Sequence, residues 1–133
     1  MGTIVVGWVD RPEGKAALDR AIDEAKLRGA TLLIVHSNKG GTLHDAEAAV
    51  ETEDELVELR ESLTASGVPH EIRPLVRGND APEDIVEVAE EVAADFIVIG
   101  LRRRSPVGKL ILGSNAQRIL LDADCPVLAV KAE

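Results

Sequence analysis

The chain has 133 residues with 45% apolar and 29% charged side chains, an ordinary balance for one globular domain and not for a disordered chain. Aromatics make up only 2%, with one Trp, one Phe and no Tyr, so few rings exist to stack on bases, and a formal net charge of −9 opposes binding to a phosphate backbone. A nucleic-acid partner is therefore not expected.

The elements follow one another in a regular alternation. Thr3–Val9 is a short β-branched run and reads as a strand. Pro12-Glu13-Gly14 opens a segment with Ala17, Leu18, Ile22, Ala25 and Leu27 at helical spacing, closed by Arg28-Gly29. Thr31–His36 is a second apolar run, followed by a Gly-rich loop at Asn38–Thr42. From Asp45 to about Ser66 a long helix turns Val50, Leu56, Leu59 and Leu63 inward and presents an acidic face that includes Glu47, Glu51, Glu58 and Glu61. Gly67 ends it. Val68–Val76 is a third strand, interrupted by Pro69 and Pro74.

Pro82 is placed to start a helix after Asp80, with Ile85, Val86, Val88, Ala89 and Val92 following. Phe96–Ile99 is the fourth strand, stopped by Gly100. Leu101–Leu112 is a basic, loop-like stretch. Ser114 is expected to cap a short helix reaching about Leu121. Pro126–Val130 is the last strand.

Strands that are apolar throughout require a sheet covered on both faces, and intervening helices imply right-handed crossovers. The expected fold is α/β: a five-stranded, mainly parallel, doubly wound sheet sandwiched by about four helices, in one domain over residues 1–133. The ligand crevice of such a sheet lies beyond the carboxyl ends of its strands at the switch point. The segments Trp8–Gly14, His36–Gly41 and Gly100–Ser114 are expected to line it. No run approaches the roughly 18 apolar residues of a membrane span. The single Cys125 has no disulfide partner in the chain. A soluble, cytoplasmic protein is expected.

Within the third of those segments, Gly100-Leu101-Arg102-Arg103-Arg104 through Gly113-Ser114-Asn115 resembles the signature of the universal stress protein family, and Cys125-Pro126-Val127-Leu128-Ala129-Val130 resembles that family's last strand. The resemblance extends to Ile4-Val5-Val6-Gly7, Pro12-Glu13 and Ala16-Ala17-Leu18, and so covers the whole chain. It implies an adenine nucleotide alpha hydrolase-like fold and a small stress-response binding or signalling module. It also implies a homodimer joined through strand 126–130, with a further protein partner left open.

The family's nucleotide signature is Gly, two residues, Gly, nine residues, Gly, then Ser or Thr. Gly100, Gly113 and Ser114 match its first Gly, last Gly and Ser, but Arg103 stands at the middle Gly. The family's ATP-binding members place an Asp after the first strand. By spacing, Val9 stands there, with Asp10 one residue later.

Arg103 puts bulk where backbone N–H groups would approach phosphate, yet Arg102, Arg103 and Arg104 can also hold phosphate in another geometry, or form a solvated loop. The expectation is weak or no ATP binding, with no certain cofactor. The alternative is an adenine-nucleotide sensor for ATP, AMP or cyclic AMP that uses Val9, Asp10, Gly100, Arg102, Arg103, Gly113, Ser114 and Asn115.

No catalytic residue is assigned, because Ser114 has no recognisable His and Asp partners. His36, His44 and His70 lack metal-ligand spacing. Ser105 reads as an exposed loop serine open to phosphorylation. Cys125 reads as a packing residue open to oxidation. Trp8, the single Trp, either packs in the core or a dimer contact, or lines the adenine pocket.

Overall fold

The computed structural model describes residues 2–9, 11–37, 45–75, 81–101 and 113–132. Asp10, Arg102, Arg103, Arg104, Ser105 and His44 lie outside the described residues, as does the loop 38–42.

Nine elements alternate: β1 (Thr3–Gly7), α1 (Pro12–Arg28), β2 (Thr31–Ser37), α2 (Asp45–Ser66), β3 (His70–Leu75), α3 (Ala81–Glu91), β4 (Phe96–Leu101), α4 (Ser114–Asp122) and β5 (Val127–Lys131). The five strands form one parallel sheet in the order β3-β2-β1-β4-β5. The register sets Ile4 beside Leu32 on one side and beside Phe96 on the other.

Alternate residues of β1, β2 and β4 feed opposite faces, which is why these strands read as largely apolar, whereas the edge strand β3 carries His70, Glu71 and Arg73. On one face Ile4, Val6 and Trp8 pack with Ala17, Leu18, Ala21 and Ala25 of α1 and with Leu56, Leu59 and Leu63 of α2. On the other face Val5, Leu33, Val35, Ile97 and Ile99 pack with Ile85 and Val88 of α3 and Ala116 and Ile119 of α4. The side chain of Val50 lies outside the described residues. Glu58 and Glu61 of the expected acidic face are exposed.

Two helices end at glycines in the left-handed region, Gly29 (φ 65°) and Gly67 (φ 74°), a conformation that costs a residue bearing Cβ more. Pro74 sits in β3 opposite His36, and β3 is an edge strand, where a missing N–H is tolerated.

Three expectations need correction. Gly100 does not stop β4: it pairs with Val130, and Leu101 pairs with Lys131, while the Ala132 N–H donates to the Leu101 carbonyl at 2.8 Å. A Cβ built at Gly100 would overlap the carbonyl of Glu13, and one built at Gly14 would overlap that of Val9. Both glycines therefore allow the start of α1 to lie against β1 and β4. Second, Ser114 is not the cap of α4. Gly113, extended at φ −68° and ψ 161°, occupies that position, its carbonyl accepts from the Gln117 N–H at 3.0 Å, and no side chain caps the helix. Third, β3 begins at His70, because Pro69 lies before the first paired residue and its carbonyl accepts from the Leu32 N–H.

Candidate functional site

In the order β3-β2-β1-β4-β5 the chain crosses from one side of β1 to the other when β4 follows β3, so the switch point lies between β1 and β4. A cleft of about 250 Å³ opens there, at the carboxyl ends of the strands. Its floor is Gly7, Val35, Ile99 and Gly100, and Trp8, Val9, Pro82 and Ile85 add apolar wall. The expected crevice is thus present on its first and third segments. In place of His36, the β2 contribution is Val35, and the first turn of α3 is an additional wall. The chain from β1 into α1 is pinned by the Trp8 N–H to the Val35 carbonyl at 3.1 Å and the Arg11 N–H to the Val9 carbonyl at 2.9 Å.

Of the expected site residues, Val9, Gly100, Gly113, Ser114 and Asn115 line this one cleft. Val9 is 40% exposed and offers no polar group to an occupant. Among the described residues, Gly113 has no heavy atom within 4 Å of the position a Cβ would take. Trp8 belongs to the core, meets the His36 ring edge-on with centroids 5.3 Å apart, and lines the cleft.

Parallel topology aims the N-termini of all four helices at this end of the sheet; those of α1, α3 and α4 border the cleft, and each offers unpaired N–H groups and a partial positive charge. Two of the three are already offset by their own carboxylates: Glu13 lies in the first turn of α1, and Glu83 and Asp84 lie in the first turn of α3. The first turn of α4 has no acidic residue and no side-chain cap. The N–H groups of Ser114, Asn115 and Ala116 precede its first intrahelical bond. An anion in the cleft is therefore best placed at α4. Arg118 of α4 and Glu83 of α3 form an ion pair at 3.2 Å that ties these two helices together beside the cleft.

Arg11, Glu13 and Gly14 also line the cleft, within the expected segment Trp8–Gly14 although none of them was singled out as a site residue. Glu13 is only 9% exposed. In the sequence it is one acidic residue at a helix start, and only the fit of α1 against Gly100 turns it inward. Among the described residues no group of His, Cys, Asp and Glu is arranged to hold a metal ion, and no helix is long and apolar enough to cross a membrane. Cys125 is half-buried, and its thiol is pushed above its ordinary value by desolvation, with the Asp124 charge adding to that rise against a backbone hydrogen bond that lowers it.

Comparison with known proteins places this geometry. The chain is 45% identical over 128 residues to a universal stress protein of Mycolicibacterium smegmatis, covering 96% of each. A universal stress protein of Archaeoglobus fulgidus superimposes with a TM-score of 0.83 at 41% identity, covering 98% of this chain and 99% of that one. A second Archaeoglobus fulgidus structure, of the universal stress protein in complex with dAMP, has a TM-score of 0.78 at 35% identity, covering 98% of each chain. The sequence model of the universal stress protein family matches residues 1–131, and with these relatives it establishes that the chain belongs to that family.

Proposed function

We propose that this protein is a non-enzymatic, cytoplasmic stress-response module of one domain, whose cleft takes an adenine mononucleotide and binds ATP weakly or not at all. The observation that carries this reading is the asymmetry of the cleft. One uncapped helix N-terminus without an acidic first turn, at Gly113-Ser114-Asn115, suits a single phosphate, while Glu13 in the first turn of α1 adds negative charge to the lining. The dAMP bound by a relative of the same family supports the ligand class. Asp10, Arg102 and Arg103 complete the proposed site as flanking residues in the sequence.

Catalysis has no support in the described cleft, where no Ser, Cys or Lys stands with a paired His as an activated nucleophile. The module is proposed to act as a homodimer through β5. This edge strand keeps Val127, Leu128, Ala129 and Val130 only half-buried, and exposed edges of this kind are relieved by pairing with a twofold copy.

The test is mass spectrometry of the small molecules released when the purified protein is denatured. An adenine mononucleotide in near-stoichiometric amount is the expected result. Stoichiometric ATP would overturn the reading.

A further inference from the structure

Arg11 stands where the local rules of helix formation disfavour it. Its carbonyl accepts from the Lys15 N–H at 3.0 Å, and its backbone is extended at φ −148° and ψ 165°, so it is the N-cap of α1. That position favours Ser, Thr, Asp or Asn, whose side-chain oxygen accepts an unpaired N–H of the first turn. A guanidinium has donors only, its charge faces the positive end of the helix dipole, and no side chain caps α1. Helix stability therefore does not account for an arginine here. Ion pairing does not account for it either. The side chain is exposed, and among the described residues no carboxylate holds it, in a chain with 24 acidic residues. Arg20, Arg28, Arg73 and Arg118 each pair with a glutamate. Arg60 of α2 has no such pair, but it does not line the cleft.

Arg11 does line the cleft, and among the described lining residues it is the one cation. Much of the remaining lining is apolar, and in such pockets a few placed polar groups orient the ligand. A residue that breaks a local rule with no structural gain is expected at a functional position. We propose that Arg11 is a specificity-determining residue of this cleft, whose guanidinium turns onto the phosphate of the ligand and sets the preference for AMP over adenosine. The proposal rests on the mononucleotide reading and adds to it the side chain that reads the charge. An exposed guanidinium without a carboxylate gives up no ion pair on turning inward, and its planar fork can take two phosphate oxygens at once. The phosphate would also offset the unfavourable approach of Arg11 to the α1 N-terminus, so the misfit of the empty protein is relieved in the complex.

The experiment is calorimetry with AMP and with adenosine on wild type, Arg11→Ser, Arg11→Gln and Arg11→Lys, together with melting of each protein without ligand. Hydrogen bonds between charged groups are the strong ones, so Arg11→Ser and Arg11→Gln should each lose about tenfold in affinity for AMP while staying within about twofold of wild type for adenosine. Arg11→Lys keeps the charge without the fork and should lose only about threefold for AMP. Without ligand, Arg11→Ser should melt about 3 °C above wild type, because serine supplies the missing cap. A variant that is more stable yet binds AMP less tightly is the signature of a residue kept for the ligand.

A ratio of AMP to adenosine affinity unchanged in Arg11→Ser and Arg11→Gln would overturn the role of Arg11 and leave the mononucleotide reading standing. Melting of Arg11→Ser below wild type would show that the arginine stabilises α1 and overturn it likewise. Failure of wild type to bind AMP would overturn the mononucleotide reading, and the role of Arg11 with it.

Discussion

Gly100 and Gly113 are two glycines of one signature, and their surroundings differ. A side chain at Gly100 would run into the backbone of Glu13, whereas one at Gly113 meets nothing within 4 Å among the described residues. Gly113→Val should therefore melt within about 1 kcal/mol of wild type while blocking the cleft, because its φ of −68° is available to any residue. Val98→Asp should do the opposite. Val98 is fully buried in β4 between Val6 and Leu128, and an unpaired carboxylate there costs on the order of 4 kcal/mol. Thermal melting of both variants checks this. Equal losses would make Gly113 a structural residue.

Cys125 gives a pH prediction at the same scale. Its thiol is raised above 9.0 by desolvation, so folding favours the protonated form. That contribution is complete below the unfolded-state value and is lost as pH rises through the higher folded one. Alkylation at pH 7 should be slower in the folded protein than in urea, and rates that match would contradict the shift.

Among the elements, the sequence alone was enough to find every helix and strand, because continuous apolar runs of five to seven residues and helical spacing are local signals. Pro12 and Gly29 bracket α1 as a Pro at the first turn and a left-handed Gly are expected to do. The misread points are ones where distant chain decides. Gly100 resembles a strand terminator until α1 is seen to rest on it, and Ser114 resembles a cap until Gly113 takes that place. The cleft was legible in its first and third segments, since both follow strands at the switch point. The α3 wall was not, because its position depends on how helices pack on the sheet. At this scale β5 carries a prediction: light scattering should show a dimer, and Val127→Lys should shift it to monomer by placing charge on the half-buried edge. A wild-type monomer at micromolar concentration, unchanged by the substitution, would refute β5 as the interface.

At the scale of the whole molecule, parallel winding delivers the helix N-termini to one end of the sheet, and among those that border the described cleft the acidic residues of α1 and α3 leave that of α4 open to an anion. On the proposed reading, this placement favours one phosphate over three. Full ATP binding should require restoring both ends of the ligand. Val9→Asp supplies an acceptor, Arg103→Gly restores the family glycine, and the two changes should raise ATP affinity more together than either does alone, since effects at separate ends of one ligand roughly add. Calorimetry on the four proteins reads this directly, and additivity failing altogether would place Arg103 outside the phosphate contact.

The most direct test of the cleft's selectivity is a single titration of the wild-type protein, freed of any bound small molecule, with AMP and with ATP under identical conditions. AMP should bind at least about tenfold more tightly, a difference of about 1.4 kcal/mol, with ATP weak or undetectable. ATP binding at micromolar affinity or better, equal to or tighter than AMP, would contradict it.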